Sequence, residues 1–448
     1  MMGLAEAARV TRGKNTGEAR FTGVSTDSRS IARGDLFVAL RGERFDGHAF
    51  LEQAGKAGAV AAMVDHKHAG SLPLPALVVE DTKLALGDLA RSWRARFTPA
   101  LAAVTGSNGK TTVKEMLAAI LRQHAGDAGV LATSGNLNND IGVPLMLLRL
   151  RREHRCCAIE LGMNHPGEIA YLAAMTAPTV ALVNNAQREH LEFMGSVAEV
   201  AAENASVYDA LPAGGVAVVN ADDAHAGFFR RRAGARRVVD FGLGAAAVTG
   251  GYALKGLSSE MRLRTPQGEA DATLAIPGVH NVRNALAAAA CAFAMDIPLP
   301  GIAAGLTAFR PYIGRLQVKH AKSGATVIDD SYNANPDSVR AAIDVLASCP
   351  GPTALVLGDM GEVGEQGPQF HREVGAYARA RGITRLLALG EAAAHAADAF
   401  GGGAQHFATV EELVSKVEGK TILVKGSRFM KMERVVAALT GARTEGGH

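Results

Sequence analysis

Cysteine is scarce in this chain. The four present, Cys156, Cys157, Cys291 and Cys349, make neither a CxxC pair nor the ladder that staples small secreted folds. A charge excess is missing too. Forty-seven lysines and arginines against 44 aspartates and glutamates leave +3, so no strong field marks a nucleic acid or an anionic membrane as the main partner. No apolar run is long enough to span a bilayer; the longest, residues 285–295, stops at Asp296. The opening MMGLAEAARVTRGKN lacks the apolar core of a secretory signal. These absences lead us to expect a cytoplasmic protein with no membrane insertion and no nucleic-acid partner.

What is present is 448 residues, 48% hydrophobic and 20% charged, with room for two to four domains at roughly 100–200 residues each. Three regions differ in texture. Up to Phe97, short β-like runs (36–40, 76–79) alternate with glycine-rich turns, and a helical pattern at 84–93 is anchored by Leu84, Leu86 and Leu89. Thr98-Pro99 reads as a linker. The second region holds continuously apolar runs at 101–104, 156–159, 180–183 and 216–219, the mark of parallel strands covered on both faces. With helices between them, such as 112–121, they predict a doubly wound sheet. Residues 248–276 suit an antiparallel hairpin, and 284–295 a buried helix. Beyond a hinge at Arg310-Pro311-Tyr312 the alternation resumes, with strands expected at 326–328, 354–357, 386–389 and 421–424 and helices at about 337–346, 370–379 and 431–439.

One motif carries chemistry. Val104-Thr105-Gly106-Ser107-Asn108-Gly109-Lys110-Thr111-Thr112 follows an apolar strand and opens a helix. Glycines let consecutive backbone N–H groups and the helix N-terminus face a phosphate. Lys110 then belongs against the β/γ-phosphates and the Thr111 hydroxyl on Mg²⁺. The motif is the shorter GxxGKT, since Val104 stands where GxxxxGK[ST] has its first glycine. Glu160 and His190 follow two other predicted strands, and ligands of open α/β sheets gather at such strand ends. A carboxylate plus a hydroxyl makes a hard-oxygen Mg²⁺ site. Taken singly, Glu160 as a helix cap or His190 as one histidine among 14 would explain them equally. Asp329 and Asp330 after a strand, Lys425-Gly426-Ser427-Arg428 after the last one, and the polar run from Pro277 to Asn284 fit a nucleotide enzyme, but turns, solvated surface and capping explain them nearly as well. Cys156-Cys157 read as core.

Taken together, the runs STDSRSIARGDLFVALRGERFDGHAF, TGSNGKTT, GNLNNDIGVPL, ELGMNHPGEI, NNAQREHLEFMGS, IPGVHNVRNALAA, IDDSYNANPDS, LGDMGEVG and LVKGSRFMKME resemble the ATP-dependent Mur ligases of peptidoglycan synthesis along nearly the whole chain. They are most similar to the branch that joins D-alanyl-D-alanine to UDP-N-acetylmuramoyl-tripeptide. The shortened phosphate loop is that family's form. The resemblance implies an α/β protein of three domains: a smaller α/β domain over 1–97 for the UDP-muropeptide, a central doubly wound P-loop domain over 98–309 for ATP, and a Rossmann-like domain over 310–448 that closes over both. It also implies a monomer.

Carried over by position, Ser28, Arg29, Asp46 and His48 fall in the nucleotide-sugar motif, and Gly106, Ser107, Asn108, Gly109, Lys110, Thr111 and Thr112 in the ATP loop. Asn138 and Asn139 lie beside the reacting phosphate; Thr111, Glu160 and His190 serve magnesium; Asn284, Arg315 and Asp330 grip the nucleotide. Tyr332, Asn333, Asn335 and Pro336 face the incoming dipeptide. The DNPR run of many sister ligases that add the third residue is absent. One position departs from the pattern. The family usually places a carbamylated lysine, serving a second Mg²⁺, fourteen residues after the metal histidine; here that position is Asn204, and no lysine occurs between Lys114 and Lys255. The expectation is that the Asn204 amide, the Glu203 carboxylate or water fills the role, and that activity is indifferent to bicarbonate. The implied reaction activates a carboxylate by phosphoryl transfer from ATP and lets an amine displace phosphate, with Lys110, Glu160 and His190 as its catalytic groups. The rival readings are a sister Mur ligase, folylpolyglutamate synthetase, and a P-loop ATPase switch with no acyl acceptor.

Overall fold

Each of the three regions builds its own sheet. The computed structural model describes residues 1–42 and 45–442; Glu43 and Arg44, inside the nucleotide-sugar run, and residues 443–448, at the end of the third region, lie outside the described residues. The first sheet runs in the order Lys14–Asn15, Ala76–Val79, Ala61–Asp65, Asp35–Val38, Gly23–Ser25, parallel except at its first pair. Its helix Thr82–Arg94 covers the expected 84–93 and starts where the Asp81 carboxylate accepts from the N–H groups of Lys83 and Leu84. That helix leans on the second region. Trp93 Nε1 donates to the Leu150 carbonyl at 3.1 Å, and buried Arg94 donates to the carbonyls of Thr176 and Ala177.

The central sheet is fully parallel, in the order Val130–Ala132, Cys156–Glu160, Ala100–Thr105, Val180–Val183, Val216–Asn220, Arg237–Phe241. Its strands are apolar throughout because both faces are covered. On the strand Ala100–Thr105, Ala102 and Val104 pack toward helices Lys110–Ala125 and Val279–Ala294, while Leu101 and Ala103 join the core shared with the first region. The expected hairpin at 248–276 is a three-stranded meander, Thr249–Lys255, Ser258–Thr265 and Gly268–Leu274. Met261, Leu263, Ala272 and Leu274 bury one face of it. The helix expected at 284–295 begins earlier, at Val279, because its first turn carries the polar His280 and Asn281, which break the apolar pattern.

The third sheet runs Gln317–His320, Thr326–Asp330, Thr421–Lys425, Thr353–Gly358, Arg385–Leu389, Ala404–Phe407, parallel but for its first pair. All four expected strands are there. The two extra ones, Gln317–His320 and Ala404–Phe407, are half-exposed edges without a continuous apolar run. Helices Pro336–Ala347, Gly367–Ala380 and Glu433–Thr440 answer the expected three. The last starts two residues late, since Lys431 at φ 51° closes a separate turn. Among the described residues no helix is long and apolar enough to cross a membrane. The chain is thus an α/β protein with a central parallel sheet flanked by two further α/β units.

Candidate active site

Strand Ala100–Thr105 lies between Cys156–Glu160 on one side and Val180–Val183 on the other, so the carboxyl ends of three strands meet at the loop from Gly106 to Thr111. The loop's shape depends on its glycines. Gly109 has φ 81°, and a Cβ there would sit 2.3 Å from Asn284 Oδ1. Asn185 supports the loop from behind: its carbonyl accepts from Ser107 N at 3.0 Å and its side-chain oxygen from Asn108 N at 2.8 Å. The helix that follows has no side-chain cap, so its N-terminal dipole and N–H groups suit an anion. Lys110 is folded back, with Nζ donating to the carbonyls of Gly106 (2.6 Å) and Ser107 (3.2 Å) and paired with Glu189 Oε1 at 2.9 Å. Thr112 lines the neighbouring cleft.

Glu160 ends its strand 2% exposed. Its Oε1 accepts from Thr111 Oγ1 at 3.3 Å and Asn138 Nδ2 at 2.8 Å, while Oε2 is buried without a partner among the described residues. An orphaned carboxylate oxygen beside a hydroxyl is a donor set that fits a hard cation. Asn139 instead starts a helix, accepting from the N–H groups of Ile141 and Gly142. His190 is held between two glutamates, with Nδ1 2.7 Å from Glu362 Oε2 and Nε2 3.5 Å from Glu189 Oε1. Burial disfavours its charge, but the two carboxylates outweigh burial and push its pKa up to about 9. The expected Thr111–Glu160 pairing therefore exists, whereas His190 makes its contacts elsewhere.

Two of the candidates offered for residue 204's role are occupied. Asn204 is 1% exposed; its Oδ1 accepts from Thr105 Oγ1 at 2.7 Å and its Nδ2 donates to the Val200 carbonyl at 2.9 Å. The Glu203 carboxylate accepts from the N–H groups of Gly167 and Ile169, capping helix Glu168–Thr176. Both side chains serve the fold, and each of their polar atoms already has a partner.

The third region closes over the loop. Asn335 Nδ2 donates to Asn108 Oδ1 at 2.9 Å, while Asn335 Oδ1 caps the helix begun by Pro336. Arg188 forks onto Asp337 (2.6 Å) and Glu373 (2.7 Å), and its backbone N–H also donates to Asp337. A cleft of about 470 Å³ opens between Asn108, Gly109 and the facing residues Asn284, Arg315, Asp330 and Lys425. The buried Lys425 ammonium is 2.5 Å from Asp330 Oδ2 and donates to the Asn333 carbonyl at 2.9 Å. Burial lowers its pKa against the pull of Asp330. Tyr332 lies between guanidiniums, its ring centroid 4.2 Å from Arg315 and 5.8 Å from Arg428. In the first region, His48 Nδ1 pairs with Asp46 at 2.6 Å and Nε2 accepts from Asp65 N–H. Arg29, next to Ser28, forks onto Asp27. These four residues stand apart from the contacts around the phosphate loop.

Sequence reasoning passed over Arg188, Glu189, Glu362 and the asparagines 184 and 185. The legible signal was the charged run Arg188-Glu189-His190 in the loop after the buried strand Val180–Val183. Glu362, by contrast, reaches the site only through the closure of the third region.

Three family signatures match the chain. The Mur ligase family catalytic domain matches residues 20–94, the Mur ligase middle domain 104–292 and the Mur ligase glutamate ligase domain 314–428. The UDP-N-acetylmuramoyl-tripeptide–D-alanyl-D-alanine ligase of Escherichia coli is 43% identical over 426 residues, 93% of each chain. A crystal structure of MurF from Acinetobacter baumannii is 36% identical and superposes with a TM-score of 0.91 over 98% of both chains. MurF ligase from Thermotoga maritima in complex with ADP, at 25% identity, superposes with a TM-score of 0.81 over 94% of this chain and 97% of that one.

Proposed function

The chain belongs to the Mur ligase family, and from that premise we infer that it joins D-alanyl-D-alanine to the terminal carboxylate of UDP-N-acetylmuramoyl-tripeptide, using ATP, in peptidoglycan synthesis. The observation that carries the site assignment is the loop from Gly106 to Thr111, seated between two strand ends with the free oxygen of Glu160 beside Thr111 and Asn335 bonded across to Asn108.

The chemistry follows from charge. A carboxylate repels an amine and has no good leaving group. Attack of its oxygen on the γ-phosphorus of ATP releases ADP and leaves an acyl phosphate. The dipeptide's neutral amine then adds to the acyl carbon, phosphate departs with the C–O bond electrons, and the amine gives up a proton. The loop's backbone and Lys110 hold the phosphates; to do so Lys110 exchanges Glu189 and two loop carbonyls for phosphate oxygens. Asn284, Arg315 and Asp330 line the cleft for the nucleoside. Thr111 and Glu160 would hold one magnesium ion and His190 a second, and when bound they would neutralise charge on the transferred phosphoryl group. Asn138, hydrogen-bonded to Glu160, orients that carboxylate. Ser28, Arg29, Asp46 and His48 receive the UDP end. Tyr332, Asn333, Asn335 and Pro336 receive the dipeptide, brought over the loop by the Asn335–Asn108 bond.

The domains divide at 97/98 and 309/310, and the enzyme works as a cytoplasmic monomer. Four cysteines without a disulfide and a nearly neutral chain support that placement. The test is to offer the protein ATP, Mg²⁺, UDP-muramoyl-tripeptide and D-Ala-D-Ala and to weigh the product. A gain of one dipeptide less water is expected. ATP hydrolysis with no such product would refute the reading.

A further inference from the structure

Two carboxylates beside the phosphate loop each keep a buried oxygen with no partner among the described residues: Glu160 Oε2 and Glu189 Oε2. They belong to opposite neighbours of strand Ala100–Thr105, one ending strand Cys156–Glu160 and the other following Val180–Val183. Glu160 touches the loop through Thr111 and Glu189 through Lys110. Leaving such an oxygen unsatisfied destabilises the fold, more so when the group is charged. The arrangement therefore points to partners that arrive with the substrate.

For Glu189 the imbalance grows when phosphate binds. Lys110 is its ion-pair partner, at 2.9 Å, and Lys110 is also the loop's cation for phosphate. Once Lys110 turns to the nucleotide, Glu189, whose side chain is only 11% exposed, loses the ammonium and keeps only His190, which it shares with Glu362. A divalent cation riding on the phosphates restores that balance. The second ligand is at hand, since His190 Nε2 lies 3.5 Å from Glu189 Oε1. Ligands at right angles on an octahedral ion with bonds of 2.0–2.1 Å are about 3 Å apart. A shift of about half an ångström thus brings both onto one ion.

Nearby alternatives are closed. Both polar atoms of Asn204 are used by Thr105 and Val200, and the Glu203 carboxylate caps a helix. We propose that Glu189 is an anionic ligand for a divalent cation shared with His190 at the phosphate loop, the position that residue 204 cannot supply in this chain. The proposal rests on the reading of the site as one for ATP and a divalent cation. The cation held by Thr111 and Glu160 is a separate one.

The test titrates Mn²⁺ into the full chain saturated with β,γ-methylene-ATP, following free Mn²⁺ by electron paramagnetic resonance. Two equivalents are expected for the wild type. Glu189→Gln, a near-isosteric change, is expected to weaken one equivalent at least tenfold while the analogue still saturates the protein, and Glu203→Gln to keep both. Glu189→Asp, which retains the charge on a shorter arm, is expected to fall between, and serves if the glutamine variant does not fold. Two undiminished equivalents in Glu189→Gln, or a wild type with only one, would overturn the proposal and leave the ligase reading standing. A wild type that binds neither analogue nor Mn²⁺ would bring down both. Bicarbonate added to CO₂-depleted enzyme is expected to leave turnover unchanged, and a rise would count against Glu189.

Discussion

Lys110 and His280 illustrate opposite uses of charge at a buried site. Lys110 waits on Glu189 and two loop carbonyls, poised to move onto phosphate. Lys110→Ala is expected to cut ADP formation at least 100-fold, the scale of losing one key electrostatic contact, while the fold remains intact by circular dichroism. His280 lines the nucleotide cleft as a neutral ring. Burial, then Lys425 and Arg283, lower its pKa to about 4, and Asn281 Nδ2 lies 3.1 Å from its Nε2, which suits an acceptor nitrogen. Because the unfolded chain protonates this imidazole near 6.5, stability drains away as pH falls from about 6.5 toward 4 and levels below that. Melting temperatures of His280→Gln across this window are expected to fall less steeply than those of the wild type. Parallel curves would exclude a neutral His280.

Among the elements, helix Pro336–Ala347 carries two tasks at its N-cap. Asn335 closes a capping box with Ser338 and also crosses to Asn108 on the phosphate loop. Asn335→Ala removes both and is expected to cost about 1 kcal/mol of stability from the cap alone. Asn335→Asp keeps an oxygen for Ser338 N–H but has no donor for Asn108. It is expected to melt near the wild type yet bind nucleotide and dipeptide less well, measured as raised KM values. The element also explains what was readable beforehand. Proline after asparagine marks a helix start, and the buried strands declared themselves by continuous Val, Ile, Leu and Ala. The edge strands Val130–Ala132 and Ala404–Phe407 did not, because three or four residues, most of them at least partly exposed, carry no pattern of their own.

For the whole molecule, the join between the second and third regions decides whether the parts form one site. Arg188 grips Asp337 and Glu373 on two helices, and Glu362 reaches His190. Arg188 is 24% exposed, so solvent screening reduces its worth, and Arg188→Ala is expected to weaken closure by about 1–2 kcal/mol. Small-angle scattering should then show a larger radius of gyration than the wild type, and 1 M NaCl should move the wild type the same way. An unchanged radius would mean that the apolar contacts alone hold the regions together.

The order of amino acids by itself determined the buried strands, the phosphate loop and the family, because buried parallel strands and glycine turns leave local marks. Only the tertiary structure decided which polar groups are free. Asn204 and Glu203 look available in the chain and are consumed by Thr105, Val200, Gly167 and Ile169, whereas Glu189, passed over in the sequence, keeps an oxygen without a partner among the described residues beside the lysine of the loop. Hydrogen-bond satisfaction depends on partners far apart along the chain, and no local pattern encodes it.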